Sequence, residues 1–115
     1  MVAREYVPDF GDLVWLDFSR QTGHEQAGRR PALILSPRVY NEKAGLAVAC
    51  PITSHAKGYP FEVSLGATYI LKGVVLADQL KSVDWRQRSC QKIGRISAPL
   101  LEQVRDRIRA LLGIL

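Results

Sequence analysis

The sequence predicts a mainly β domain that ends in one helix. Short apolar runs alternate with Gly, Pro and Asn residues, which is typical of a chain of short strands. The only segment with a helical period lies at the C-terminal end, and no internal repeat or low-complexity stretch is present. The 115 residues leave room for a single domain, 1–115. Short strands around one core indicate a small, strongly bent barrel or sandwich.

Six strands are predicted, each with its own signal. The first follows Gly11-Asp12, and the second is fully apolar with a proline at each end, where lost ladder hydrogen bonds matter least. Clean alternation over 61–65 predicts a half-buried strand. Residues 38–45 are interpreted as a turn, with a single helical turn as the alternative, and 19–30 and 53–60 as polar loops. In chain order the predicted strands cover 13–18, 31–37, 46–52, 61–65, 73–77 and 91–96.

A helix is predicted over 97–112. Ser97 is placed to cap its N-terminus, Pro99 fits the first turn, and Gly113 can end it. Four apolar residues recur at helical spacing and predict a face that packs on the sheet. These are Leu101, Val104, Ile108 and Leu111.

Charge and hydropathy narrow the function classes. The chain has 16 Lys+Arg against 11 Asp+Glu, a formal net charge of +5 and a pI of about 9.6. Eleven of the sixteen basic residues are Arg, whose planar fork suits phosphate, so the composition favours a nucleic-acid partner. No apolar run reaches the roughly 18 residues of a membrane span, and no secretory signal is recognisable. We therefore expect a cytoplasmic protein without a membrane partner.

Metal and cofactor chemistry is not expected. The soft ligands are His24, His55, Cys50 and Cys90, and none stands at a spacing that builds a metal site. The two cysteines are interpreted as reduced small hydrophobic residues. The sequence contains no Walker loop, no dinucleotide fingerprint and no nucleophile elbow.

Two loops concentrate the remaining polar chemistry. The first places Glu25 and two guanidinium groups directly before the strand at 31–37, and the second places Thr53 and Lys57 after the strand at 46–52. If these strands are antiparallel neighbours, Arg30 lies near Thr53 in a positively charged corner that fits a phosphodiester. The alternative from spacing alone is structural: Arg-Pro guards a sheet edge and Thr53 only forms a turn.

At these residues the sequence resembles the MazF family of toxin–antitoxin endoribonucleases, also called PemK or Kid. The matching elements occur in family order from about residue 4 to 112. The element Glu-Gln-x-Gly-x-Arg-Pro is quite specific. As they stand here, the elements are GDLVWLDF (11–18), EQAGRRPA (25–32), LSP (35–37), PIT (51–53), KGYPFEV (57–63) and LADQLKS (76–82).

The resemblance implies a small SH3-like β-barrel with a C-terminal helix, similar also to the CcdB fold. It implies a homodimer and a MazE-like antitoxin whose acidic C-terminal tail wraps that dimer. The implied activity is metal-independent cleavage of single-stranded RNA at a short sequence. The RNA 2′-hydroxyl is the nucleophile, so the expected products carry 2′,3′-cyclic phosphate and 5′-hydroxyl ends, and DNA should resist cleavage.

The family's catalytic pair maps onto Arg30 and Thr53. Glu25 is assigned with them, either as a proton carrier or to orient Arg30. Six residues are expected to contact RNA: Gln26, Arg29, Lys57, Tyr59, Gln79 and Arg86. Among these, the two glutamines either read base edges or hold their loops, the lysine meets phosphate or stays solvated, and the tyrosine can stack on a base.

Two departures and two alternatives accompany this interpretation. Arg29 stands where well-known family members can carry His, and residues 66–72 replace a more polar loop, so substrate preference and antitoxin contact can differ. His24 and His55 would allow a two-histidine ribonuclease mechanism. The alternative to an enzyme is a CcdB-like barrel that binds a protein such as gyrase, which would not need the Arg30–Thr53 pair.

Overall fold

The computed structural model describes residues 5–18, 28–66 and 71–114. Two helices are assigned there, α1 (Arg38–Ala44) and α2 (Ala98–Leu112), with a short 3-10 helix at Ala77–Gln79. The strands in the described ranges are β1 (Asp12–Phe18), β2 (Gly28–Ile34), β3 (Ala47–Thr53), β4 (Glu62–Ser64), β5 (Val74–Leu76), β6 (Lys81–Val83) and β7 (Gln91–Arg95).

The strands form one antiparallel sheet in the order β4-β5-β3-β2-β1-β7, and β6 also pairs with β3. Strand β3 therefore changes neighbour along its length, from β6 at residues 47–49 to β5 at residues 52–53. The predicted fold class, mainly β with a C-terminal helix, is confirmed. Within the described ranges the ladder runs as an open path and does not join β4 to β7.

The structure differs from the predicted elements at several places. Strand β2 starts at Gly28, three residues earlier than expected, because the chain there pairs with β1 through Asp17–Arg29 and Leu16–Arg30. Residues 38–44 form a seven-residue helix, longer than the single helical turn given as the alternative for this segment, and the three-residue strand β6 was not predicted. For β2 and β6 the deciding contact is a ladder with another strand, which local sequence patterns do not contain.

Two apolar clusters make up the core, and β1 and β2 contribute to both. Leu13 and Leu33 lie in the cluster with α2, while their neighbours Val14 and Ile34 lie in the second cluster with Trp85. Successive strand residues point to opposite faces, so both faces of these central strands are buried. Residues 32–34 of the apolar second strand are accordingly all buried.

Helix α2 has the predicted ends. The Ser97 side chain accepts a hydrogen bond from the Leu100 N–H, and Gly113 adopts a φ of 69° at the C-cap. Leu101 and Val104 are buried, as the apolar stripe predicts. Leu111 is 42% exposed, so the stripe prediction is wrong for the last helical turn, which lies outside both core clusters.

A set of mutually bonded polar residues, here called the polar hub, lies at the N-terminal end of β1. The Asn41 side chain is fully buried; its amide donates to the carbonyls of Pro8 and Ser36, and its oxygen accepts from the Ser36 hydroxyl. The Trp85 indole N–H donates to the Asn41 carbonyl at 2.9 Å. The hub comprises Asp9, Asp12, Ser36, Asn41 and Trp85.

Asp12, only 1% exposed, anchors the other half of the hub. Its carboxylate accepts from the Tyr6 hydroxyl, from the Asp9 N–H at 3.0 Å and from the Arg95 guanidinium at 3.1 Å. Asp9 in turn accepts from the Arg38 N–H at the start of α1. No buried side-chain nitrogen or oxygen in the described part of the chain lacks a hydrogen-bond partner.

Candidate active site

Thr53 is the last residue of β3, at the point where that strand pairs with β5. Its hydroxyl oxygen accepts a hydrogen bond from the His55 N–H at 3.1 Å. A threonine hydroxyl has one donor and two acceptor positions, so the bond to His55 leaves the Thr53 O–H able to donate elsewhere. The predicted site residue is thus a fixed, half-buried hydroxyl with a donor to offer.

A cleft of about 430 Å³ opens beside Thr53. It brings together three further residues of the predicted set, Lys57, Tyr59 and Gln79, although Gln79 is distant from them in sequence. The Tyr59 ring is 60% exposed and free to meet a flat partner. The lining, here called the cleft, consists of Thr53, His55, Lys57, Tyr59, Glu62, Leu76, Asp78 and Gln79.

The loop at 54–60 is exposed at every residue, yet it is braced from two sides. The Glu62 carboxylate accepts hydrogen bonds from the Lys57 N–H at 3.0 Å and the Gly58 N–H at 2.9 Å. The Arg107 guanidinium of α2 donates to the Pro60 carbonyl at 3.2 Å. The side chains of Lys57 and Tyr59 are therefore carried on a backbone that is already held in place.

Arg30 lies in β2, where it pairs with Leu16 of β1, and its side chain is half-buried. The ladder between β2 and β3 runs Ile34–Ala49, Leu33–Cys50 and Ala32–Pro51. Extending this register by two positions sets Arg30 opposite Thr53. The Arg30 side chain makes no hydrogen bond or ion pair with the residues that the structure describes.

Arg29 and Arg86 are placed differently from the cleft residues. The Arg29 guanidinium is bonded to Asp17, the Ser89 carbonyl and Gln91. Arg86 forms an ion pair with Glu5 at 3.0 Å and stacks over the Trp85 ring. Neither lines the cleft, and their assignment to RNA contact stays a prediction.

Glu25, Gln26 and His24 lie outside the described residues, so their predicted roles are not located. His55 does line the cleft, and its backbone rather than its ring makes the bond to Thr53. The two-histidine alternative therefore has one of its members in the cleft and the other outside the described ranges.

The cysteines offer no nucleophile. Burial, with a further contribution from the charge of Asp78, raises the pKa of the Cys50 thiol to about 12. Burial and the charge of Asp12 raise the pKa of Cys90 to about 12 as well. Both are free thiols, as predicted, and neutral at physiological pH. Among the described residues no group of three or more His, Cys, Asp and Glu is arranged to hold a metal ion.

Three contributors to the site were not singled out from the sequence. Glu62 braces the loop, Arg107 ties the loop to α2, and Gly73 allows β5 to approach Thr53. A Cβ built on Gly73, whose φ is +125°, would lie 2.2 Å from the Thr53 carbonyl oxygen. The glycine before an apolar strand was a readable signal of close approach. The contact between Arg107 and Pro60, which are 47 residues apart in sequence, had no such signal.

Comparison with known proteins shows the family to which this fold and this cleft belong. The model of the family described as "PemK-like, MazF-like toxin of type II toxin-antitoxin system" matches residues 9–112, and the chain belongs to this family. It is 49% identical to the Endoribonuclease toxin MazF of Escherichia coli K12, over 98% of this chain and 100% of that protein.

Solved structures of this family have the same fold as this chain. The crystal structure of MazE-MazF (Form-II) from Deinococcus radiodurans matches with a TM-score of 0.90 and 55% identity, covering 96% of this chain and 100% of that one. The Endoribonuclease PemK of Escherichia coli is 31% identical over 97% of this chain and 87% of its own length. No helix in the described ranges is long and apolar enough to cross a membrane.

Proposed function

We propose that this chain is the toxin of a type II toxin–antitoxin pair, an endoribonuclease that cuts single-stranded RNA at a short sequence without a metal ion. The observation that carries the proposal is the β2–β3 register: its last pair is Ala32–Pro51, and continuing it by two positions brings Arg30 opposite Thr53, which lines the cleft. The named activity of relatives that are 49% and 31% identical over nearly the whole chain supports the same conclusion.

The proposed reaction uses the substrate's own nucleophile. The 2′-oxygen attacks the adjacent phosphorus and loses its proton, the bond from phosphorus to the 5′-oxygen breaks, and the leaving oxygen takes up a proton. The products carry a 2′,3′-cyclic phosphate and a 5′-hydroxyl. In this scheme the enzyme aligns the 2′-oxygen with the phosphorus and stabilises the extra negative charge of the transition state.

Arg30 is assigned to charge stabilisation, because guanidinium stays protonated in proteins and cannot easily act as a base. The Thr53 hydroxyl, whose oxygen already accepts from His55, donates to a non-bridging phosphate oxygen. Glu25 either carries the 2′-proton or orients Arg30.

Single-stranded RNA fits the cleft better than a duplex does. Tyr59 offers an exposed ring for an unpaired base, Lys57 a charge for phosphate and Gln79 an amide for a base edge. These three residues reach one cleft from a loop and a 3-10 helix, so an unstacked segment of a few nucleotides can contact all of them. Arg86 would add a phosphate contact outside the cleft.

The proposed partners are a second copy of the chain and a MazE-like antitoxin in the cytoplasm. The net charge of +5 complements the acidic tail expected of the antitoxin. Large apolar side chains are exposed on α1 and at the end of α2, as expected of a chain that is stable as a dimer. They include Val39, Tyr40, Leu111, Leu112 and Ile114.

The test uses purified protein freed of antitoxin, a long single-stranded RNA and excess EDTA, with the fragment ends mapped. We expect cuts at one repeated short sequence, with cyclic-phosphate ends and no cleavage of the matching DNA. Thr53→Ala should lower the rate about 100- to 1,000-fold, the usual cost of one transition-state donor. Thr53→Ser, which keeps the hydroxyl, is the matched control.

Arg30→Ala should nearly abolish cleavage, while Arg30→Lys keeps a trace. Full activity of Arg30→Ala would overturn the catalytic assignment. If folded, dimeric wild-type protein cuts none of a varied set of RNAs, the enzymatic proposal fails and a protein-binding barrel, tested first on gyrase, takes its place.

A further inference from the structure

The side chain of Arg29 joins three separate segments of the chain. Its guanidinium bonds to the Asp17 carboxylate at the end of β1, to the Ser89 carbonyl at 2.9 Å and to the Gln91 amide oxygen at 3.0 Å. Asp17 is also the residue directly opposite Arg29 in the β1–β2 ladder. A guanidinium spreads five donors over a planar fork, a geometry that the compact ammonium of Lys does not reproduce.

The segment that Arg29 holds is the weakly supported end of β2. Residues 28–31 pair with β1 only, because the ladder with β3 starts at Ala32. Arg30 therefore lies on a stretch of strand with a hydrogen-bonded neighbour on one side, among the residues described. The spacing between Arg30 and Thr53 is not set by any ladder pair at those two positions.

Two of the acceptors of Arg29 lie in or directly beside a turn that backbone hydrogen bonds close. Ser89 has a φ of 50°, the one positive value for a non-glycine residue in the described ranges. The turn that holds it in this conformation is closed by the Cys90 N–H donating to the carbonyl of buried Trp85 at 3.1 Å. The same turn is tied to β1, because the Asp17 backbone N–H donates to the Arg88 carbonyl at 2.7 Å.

We propose that Arg29 is a positioning residue for Arg30: its three bonds fix the free end of β2 and so set the distance from Arg30 to Thr53. This inference rests on the proposed function. Adjacent strand residues point to opposite faces, so Arg29 can anchor the backbone on one face while Arg30 serves the phosphate on the other. The arginine that sequence reasoning assigned to RNA contact then acts through protein contacts.

Three variants separate a positioning role from a phosphate contact: Arg29→Ala, Arg29→Lys and Asp17→Asn. Each is assayed for the single-turnover cleavage rate at saturating RNA, and for the Kd of the same RNA carrying a 2′-deoxy nucleotide at the cut site. We expect all three to lower the saturating rate about 10- to 100-fold, the scale of an ångström of misplacement, with Kd changed less than about 3-fold.

A phosphate contact predicts the opposite pattern. Arg29→Lys would then keep both rate and affinity, Asp17→Asn would leave the rate unchanged or tighten binding, and Arg29→Ala would weaken binding and lower the salt slope by about 0.7. Arg109→Ala, which removes an exposed arginine paired with Glu102 and Asp106 on α2, controls for loss of a surface ion pair and one charge.

The double variant Asp17→Asn/Arg29→Ala should be no slower than Arg29→Ala alone, because both changes remove the same contact. The ¹⁵Nε resonance of Arg30 should shift in Asp17→Asn, which does not touch Arg30 directly, and stay unchanged in Arg109→Ala. Arg30→Ala is run alongside. If it cleaves normally, the proposed function fails; if it is inactive while Arg29→Lys and Asp17→Asn match wild type, only the positioning role is overturned.

Discussion

The polar hub and the cleft use the same kinds of side chain in opposite ways. In the hub, the carboxylate of Asp12 and the amide of Asn41 are buried and form their hydrogen bonds with other groups of the chain. In the cleft, Lys57 and Tyr59 are exposed, and Thr53 accepts one bond while keeping a donor. The difference separates polar groups that stabilise a fold from polar groups that remain available to a ligand.

The largest expected effect comes from closing the approach of β5 to Thr53. Gly73→Ala places a Cβ against the Thr53 backbone, which has no room to shift cheaply, so we expect about 4 kcal/mol lower stability and cleavage about 100-fold slower. Gly66→Ala is the matched control, since Gly66 also has a positive φ but open space around its Cβ. Denaturant melts and cleavage rates that match in the two variants would contradict the steric explanation.

The next effect removes the centre of the hub. Asn41→Ala leaves the buried acceptors of Pro8 and Ser36 without their donor and should lower the free energy of unfolding by about 3 kcal/mol. The cleavage rate per folded molecule should not change, because the hub does not line the cleft. Exposed Gln103→Ala on α2 is the control. A specific loss of cleavage in folded Asn41→Ala protein would show that hub and cleft are coupled.

A smaller effect is expected inside the cleft. Glu62→Gln replaces a carboxylate that accepts from two backbone N–H groups with a neutral amide, at a cost of about 1 kcal/mol to the bracing of the loop. We expect RNA affinity to fall about 5-fold and the choice of cleavage sequence to broaden. Glu42→Gln on α1 provides the charge-matched control. Tighter RNA binding by Glu62→Gln would mean that charge repulsion outweighs loop bracing.

The smallest effect concerns pH. Burial raises the pKa of Asp9, but the N–H groups of Arg38 and Phe10 outweigh it, so the pKa of that carboxyl lies below its usual range. A lowered pKa contributes stability above the unfolded value, near 4, and that contribution is lost as pH falls through the folded value. The stability difference between wild type and Asp9→Asn should therefore shrink between about pH 5 and pH 2 in urea melts. A constant difference would contradict the assignment.

The sequence predicted several residues of the cleft but none of the contacts of the hub. The structure confirms helix α2 and both of its caps, which follow from helical spacing and capping residues in the sequence. It also confirms β1 and β2 as strands with buried apolar residues. The proximity of Thr53, Lys57 and Tyr59 could be read from one loop. Gln79 joins them because β5 and the 3-10 helix fold back beside β3, a contact that no local pattern encodes.

The hub was not predicted because its members look unrelated in sequence. Asn41 lies in a segment interpreted as a turn, and Trp85 lies between the predicted strands at 73–77 and 91–96, yet the indole N–H donates to the Asn41 carbonyl. For Arg29, proximity in sequence was misleading. Its position beside Arg30 suggested a shared ligand, whereas its three acceptors come from residues 17, 89 and 91.

The bracing of the loop by Glu62 has a consequence for competition in the cell. Two successive backbone N–H groups, like those of Lys57 and Gly58, form a concave nest that attracts small anions. Here the chain supplies its own anion to that nest. We expect free phosphate and mononucleotides to find this one position occupied, while an RNA that brings several bases and phosphates at once can bind around it. The internal carboxylate is thus expected to keep small anions out of the nest itself.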